Sequence, residues 1–244
     1  LLLAPMVALA RGGDLPSLPP AAAARRDLTA LFFTSGSTGT AKAVRITRGM
    51  IASCQGAVAA MWPFLAATPP VLVDWLPWHH VFGGLDNLFK IIWHGGTLHV
   101  DRPPAAGDPG ATLRLMATVR PTLHIAVPLA LRHLLAAAAA DPSATARATE
   151  RLDALFFAGA GIDAALWDGL RALRDRAGRF GILSGYGATE AASTICLSPA
   201  PLERPGELGC PLPGHEVALV TAEGRAEVCV SGPNLAPGYL TAAG

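Results

Sequence analysis

"LFFTSGSTGTAK", residues 31–42, sets an apolar run directly before a stretch rich in glycine and hydroxyls, and closes on a lysine. Its reading decides the fold: a buried strand over 28–33 that ends in a loop facing an anion. Thr34, Ser35, Ser37 and Thr38 supply hydroxyl donors, and Gly36 and Gly39 let the backbone approach closely. Lys42 adds a compact, mobile positive charge. That inventory suits a polyphosphate. A Walker A loop needs G-x-x-x-x-G-K-[ST], whereas here the spacing differs and Ala43 follows Lys42. A kinase-type P-loop is therefore disfavoured.

Downstream, apolar strands alternate with helical patterns. "ITRGMIASCQGAVAAMWPFL" has helical spacing with Thr47 as N-cap, and "PPVLVDWLPW" is a buried strand that runs into a loop. "LDNLFKIIWHGG" reads as a helix closed by Gly95, "TLHV" as a strand, "ATLRLMATVRP" as a helix and "TLHIAVP" as a strand. "LALRHLLAAAAA" continues as a helix, and "LDALFFAGAG" is strand and loop. "DAALWDGLRALRDRAG" is a helix with a glycine stop, and "FGILSGYGATE" is again strand and loop. This alternation predicts an α/β fold, a mostly parallel sheet with flanking helices and loops gathered at the strand C-terminal ends. Beyond about residue 200, strand and turn signals occur without helices, as in part of a small β-barrel-like subdomain. The expected organisation is a linker or incomplete preceding segment over 1–27, an α/β nucleotide-binding core over 28–200 and an incomplete β subdomain over 201–244.

Composition narrows the function classes. Hydrophobic residues make up 51% of the 244 positions and charged residues 15%, which argues against disorder and for elements buried on more than one side. Nineteen basic against eighteen acidic residues leave no field to attract nucleic acid or an anionic membrane. Lys42 and Lys90 are the only lysines, so the lysine after the glycine loop stands out. Cys54, Cys196, Cys210 and Cys229 have neither zinc spacing nor a disulfide framework, and a reducing cytoplasm is the plain reading. The opening "LLLAPMVALA" lacks an initiator Met and a basic flank and is too short to span a bilayer. A chain that begins mid-protein is the expectation.

Three more strand exits carry unusual residues. In "GYGATE", Gly185 and Gly187 flank Tyr186, whose face could meet a base, and Thr189 and Glu190 follow. Glu190 is either a helix N-cap or a magnesium ligand, since hard cations take carboxylate oxygens. "AGAGIDA" places Gly159, Ala160 and Gly161 in a G-x-G-x-x-A pattern, a possible dinucleotide fingerprint. That motif wants an acid near the end of the next strand, and "ILSGYG" has none. His79 and His80 lie between Trp78 and Phe82, a pocket wall or a proton-handling position.

Together, "FTSGSTGTAK", "LPWHHVFGG", "AGAG", "GYGATE" and "SGPNLAPGYL" resemble, in order, the signatures of the adenylate-forming superfamily of acyl-CoA synthetases, luciferases and peptide-synthetase adenylation domains. "VDWLPWHHVFGGLDNL", "GGTLHVD" and "LFFAGAGIDAALWDGL" look most similar to feruloyl-CoA synthases. The resemblance implies ATP-dependent activation of a carboxylic acid as an acyl-adenylate, followed by thioesterification to coenzyme A. It implies ATP and magnesium ion as cofactors and an aryl or hydroxycinnamate acid as substrate, with no nucleic-acid partner and no membrane span. By the same resemblance Thr34, Ser35, Gly36, Ser37, Thr38, Gly39 and Lys42 hold the β- and γ-phosphates. Glu190 binds magnesium and Thr189 touches the α-phosphate. Gly159, Ala160 and Gly161, with Gly185, Tyr186 and Gly187, sandwich the adenine. His80 orients the carboxylate, so His80, Thr189 and Lys42 form the catalytic set. His79 is assigned to packing, and Trp78, Gly83, Gly84 and Ala191 to the acyl tunnel. Ala41 and Ala43 replace the family's proline and glycine around the lysine. The family's ribose-binding segment and its C-terminal lysine have no counterpart here, as in a middle fragment of the large domain. Two other readings stay open, a nucleotide-binding module without chemistry and a nicotinamide-dependent oxidoreductase built on "GAGIDA".

Overall fold

A computed structural model describes residues 27–34, 41–102, 108–222 and 225–240. Its centre is a seven-stranded sheet of order β4-β3-β5-β6-β7-β8-β9. The strands are β3 (Val71–Asp74), β4 (Thr97–Val100), β5 (Leu123–Ala126), β6 (Ala154–Phe157), β7 (Gly181–Tyr186), β8 (Cys196–Leu197) and β9 (Cys210–Pro211). The first five in that order run parallel, and β8 and β9 add an antiparallel edge. The α/β expectation holds.

The apolar runs are continuous because the sheet is covered on both faces. Along β6, Ala154 and Phe156 join one core and Leu155 and Phe157 the other, as a period of two requires. On the first face lies helix α1 (Arg48–Met61), which brings Met50, Ile51, Cys54 and Val58. The second face is packed by α4 (Ala111–Val119), α5 (Pro128–Ala140), α6 (Pro142–Thr149) and α7 (Ala164–Ala177). The short helices α2 (Phe64–Ala67) and α3 (Leu88–Trp93) complete the first side. Burying one Leu or Phe contributes about 1.5–3 kcal/mol, so the two cores dominate stability. Thr47 caps α1 as expected, its hydroxyl accepting from the Met50 N–H at 3.3 Å. Asp163 caps α7, and Gly178 ends it at φ +75°.

The opening stretch folds otherwise than expected. β1 (Leu28–Thr34) is not a buried member of the parallel sheet. It pairs antiparallel with β2 (Lys42–Thr47), a strand absent from the sequence reading, and Phe33 is 67% exposed. Val44 and Ile46 are buried and Arg45 is exposed, so "KAVRIT" is a half-buried strand at the centre of a three-stranded sheet, in front of the helix cap. Thr34 and Lys42 are opposite one another in this register. Residues 35–40, with the expected phosphate-binding Ser35, Gly36, Ser37, Thr38 and Gly39, lie outside the described residues. Beyond residue 200 the strands do not form one sheet. β9 edges the main sheet, β10 (Glu216–Ala222) and β11 (Arg225–Ser231) form a hairpin, and β12 (Tyr239–Leu240) pairs with β2.

Candidate functional site

The parallel strands end on one side of the sheet, and their following loops build a cleft of about 260 Å³. His80, Val81 and Phe82 come from the loop after β3, Ala158 and Gly159 from the exit of β6, and Gly185 to Thr189 from the end of β7. The carboxyl ends of adjacent parallel strands are where open α/β sheets hold ligands. At the rim His80, Gly159, Tyr186 and Gly187 are exposed; at the inner end Val81, Phe82, Phe156 and Thr194 are buried.

Local chemistry fixes each loop. Asp74 ends β3 and accepts from the Leu76 N–H and from the Asn87 side-chain amide, both at 2.9 Å. Burial pushes its carboxyl above the ordinary value, against those two hydrogen bonds. Asn87 closes a π-helical turn over Phe82–Asn87, a geometry often found at functional sites. The Phe82 N–H donates to His80 Nδ1 at 3.2 Å, which places the proton of the neutral ring on Nε2. His80 thus offers an N–H to the cleft. His79 is exposed, so the packing role expected for it is corrected. Gly83 and Gly84 do not line a tunnel either: the carbonyls of Leu76, Pro77 and Trp78 occupy the space a side chain would need. Of Trp75, Trp78 and Phe82, only Phe82 lines the cleft, where it meets Phe156 edge to face at 6.1 Å.

The β7 exit is held with equal care. A Cβ on Gly187 would collide with the Ser193 carbonyl, so only glycine lets the chain double back there. Asn234, fully buried, donates to the carbonyls of Ala191 and Thr194 at 2.8 Å each, and its Oδ1 meets His215 Nε2. The turn that carries Glu190 is thereby fastened to the end of the chain. Ala236 N–H donates to the Glu190 carbonyl at 2.7 Å.

Sequence reasoning overlooked Tyr239. Its hydroxyl donates to Glu190 Oε1 at 2.8 Å, and the Lys42 ammonium stands 5.2 Å from its ring centroid. That hydrogen bond, then burial and the carboxylate's charge, hold the phenol above its ordinary value. β12 pairs with β2, so Lys42 and Glu190, 148 positions apart in sequence, meet around one ring. The short "PGYL" stretch around Tyr239 gave no local signal of this. Among the described residues no Lys, Arg or His forms an ion pair with Glu190. Its carboxylate beside a lysine suits magnesium, which takes one or two protein carboxylates with substrate phosphates and water. Among the described residues no three His, Cys, Asp or Glu cluster around a common point.

His80, Thr189, Gly159, Gly185, Tyr186 and Gly187 therefore share one cleft, and Glu190 follows Thr189 directly. Thr34 and Lys42 flank the glycine-rich loop, while Ala160 and Gly161 are exposed beyond the cleft wall. Sequence reasoning also passed over Asp86, which lines the cleft, and Lys90, which pairs with it at 2.6 Å. A lone acid and a lone lysine four apart in an apolar helix were the available signal.

This arrangement has known parallels. Residues 5–240 match the AMP-binding enzyme family, and the chain belongs to that family. It is similar to long-chain-fatty-acid–CoA ligase 1 of Homo sapiens, 26% identical over 275 residues that cover 95% of this chain and 38% of the ligase. A malonyl-CoA ligase in a ternary product complex with methylmalonyl-CoA and AMP superposes with a TM-score of 0.78 at 26% identity, over 93% of this chain and 48% of that one. An o-succinylbenzoate coenzyme A synthetase from Bacillus subtilis, in complex with ATP and magnesium ion, gives 0.67 at 25%, over 86% and 42%. The chain spans about two fifths of the length of the curated relatives it matches. No helix of the described residues is long and apolar enough to cross a membrane.

Proposed function

We propose that the protein bearing this chain is an acid–thiol ligase. ATP binds at the rim of the cleft, a carboxylic acid occupies its inner end, and the acyl-adenylate they form is passed to coenzyme A. The observation that carries this reading is the meeting of two unlike surfaces in one cleft. The rim is backbone-rich and polar, with Gly159, Gly185, Tyr186 and Thr189, and with Lys42 and Glu190 held by Tyr239 beside it. The inner end is walled by Val81, Phe82 and Phe156. Nucleotide and acyl group ask for that division.

The chemistry follows from two anions that must meet. A carboxylate oxygen attacks the α-phosphorus, the bond to the bridging oxygen breaks, and pyrophosphate leaves. The thiol sulfur of coenzyme A then attacks the acyl carbonyl, AMP leaves, and the thiol proton passes to solvent. Neutralising and aligning the anions supplies most of the rate. Lys42 and the hydroxyls of the glycine-rich loop would hold the β- and γ-phosphates, and Glu190 would hold magnesium ion, which would screen the phosphate charge. Thr189 contacts the α-phosphate, Tyr186 with Gly159, Gly185 and Gly187 encloses the base, and the His80 Nε2–H orients the carboxylate. The acid is of aryl, hydroxycinnamate type, a reading supported by the feruloyl-like segments and the Phe82–Phe156 wall.

ATP–pyrophosphate exchange by the natural polypeptide, with benzoates, hydroxycinnamates, small dicarboxylates and fatty acids in turn, tests this. Magnesium-dependent exchange with an aryl acid, and its thioester on adding coenzyme A, is the expected outcome. Exchange only with acids of twelve or more carbons overturns the aryl assignment. Exchange with no acid overturns the ligase reading.

A further inference from the structure

The inner end of the cleft carries a charge that none of these roles uses. Asp86 is 1% exposed, yet it lines the cleft beside Phe82, Phe156 and Thr194. Lys90, one helical turn on and equally buried, pairs with Asp86 Oδ2 at 2.6 Å. Its ammonium lies 5.5 and 5.7 Å from the ring centroids of Trp62 and Phe156, which form the floor behind the cleft. Among the described residues, Oδ1 accepts only a long hydrogen bond, 3.3 Å, from the Thr194 hydroxyl on the cleft wall. An ionised carboxylate has about four acceptor sites, so capacity remains on the Thr194 side. Packing does not call for this charge, because apolar residues of similar volume usually serve stability as well as a buried ion pair does.

We propose that Asp86 is a specificity-determining residue that accepts a hydrogen bond from a donor on the distal part of the acyl group. The inference rests on the ligase reading above and names its substrate class: aryl acids bearing a ring hydroxyl or amino group. Lys90 fixes the carboxylate from behind and leaves the Thr194 side for the substrate. A site built to bond a substrate hydroxyl rejects the analogue without it, because a buried polar group is then left unpaired. An O-methylated ring fails for the same reason, since an ether has no proton to donate.

The test measures kcat/KM of the natural polypeptide for cinnamate, 4-hydroxycinnamate, 4-aminocinnamate and 4-methoxycinnamate. Ratios are taken within each protein, so that any loss of folded enzyme cancels. In the wild type the hydroxy and amino acids exceed the other two by roughly 10- to 100-fold. In the double variant D86L/K90M, which removes both charges together, the ratio falls to near one. D86N keeps the shape and one acceptor and gives an intermediate ratio. A wild-type ratio near one, or a ratio undiminished in D86L/K90M, overturns the proposal while exchange with aryl acids leaves the ligase reading standing. Exchange with none of these acids, nor with dicarboxylates or fatty acids, removes the ligase reading and this inference with it.

Discussion

Replacing Lys90 by Met tests the energetics of the buried pair directly. The Lys90 side chain is 1% exposed and its Asp86 partner 2%, so water screens neither charge. Lys90→Met keeps the unbranched stem against Trp62 and Phe156 but removes the ammonium. Asp86 is left with a single 3.3 Å hydrogen bond from Thr194 on one oxygen and nothing on the other. Breaking one side of a buried pair costs about 3–5 kcal/mol. That is a large part of the roughly 5–15 kcal/mol by which domains are stable. Removing both charges in D86L/K90M spares the uncompensated carboxylate and should recover most of the loss. The assay is urea unfolding followed by tryptophan fluorescence, with Trp62 as a reporter beside the pair. The midpoint should fall in K90M without a change in slope and return toward wild type in the double variant. A K90M protein within about 1 kcal/mol of wild type would refute the desolvation argument.

Three further outcomes follow from the geometry. Glu190→Gln should lower magnesium-dependent pyrophosphate exchange by about 10²-fold or more, whereas Tyr239→Phe, which only frees the carboxylate, should raise the magnesium half-saturation with a loss of about 10-fold; equal effects, or none, would place the metal elsewhere. Burial holds His124 at a pKa of about 4, outweighing the opposing charge of Asp101, so the folded protein keeps the ring neutral where the unfolded chain binds a proton. Stability is thus full above about pH 6.5 and declines as pH falls towards 4, by about 3 kcal/mol in all, and His124→Leu should flatten that part of a urea-midpoint profile. Asn234→Ala should cost about 2–3 kcal/mol by thermal unfolding, because the carbonyls of Ala191 and Thr194 lose their donor in a buried site.

What the sequence discloses is whatever local pattern dictates. β5 and β6 are buried on both faces, so "ALFF" reads as an uninterrupted apolar run and "LHIA" as one broken only by His124, without any knowledge of their neighbours. Thr47, Asp163 and Gly178 cap helices through contacts within four residues, and such signals survive in one dimension. β2 was hidden because its inward Val44 and Ile46 abut the helix that Thr47 starts, and the helical period swallowed the shorter one. α6 was missed although Asp141 and Pro142 spell a cap and a first turn. The pairing of Tyr239 with Val44 could not be read at all, because nothing local distinguishes that partner from any other exposed strand. The glycine-rich exits announced the cleft, but the groups that fasten it, Asn234, Tyr239 and the Asp86–Lys90 pair, act across distance.

The two charged groups of the site obey opposite physics. Around Tyr239, Lys42 and Glu190 stand where solvent screens them, so their mutual geometry is cheap to change and can adapt to a polyphosphate with its metal ion. Lys90 lies behind Phe156 and holds Asp86 at the inner end of the cleft, where any displacement leaves an unpaired charge against an apolar wall, so their geometry is stiff. One short segment reaches both. Thr189 and Glu190 lie at its start by the rim, and Thr194 at its end touches Asp86, while Asn234 grips the carbonyls of Ala191 and Thr194 between them. The stiff inner pair therefore serves as the anchor against which the adaptable rim is set. A shape that fits badly against Asp86 and Thr194 strains the same six residues that present Glu190. On the roles proposed above, recognition of the acid at Asp86 and placement of the Glu190 carboxylate are tied through one loop, without either site touching the other.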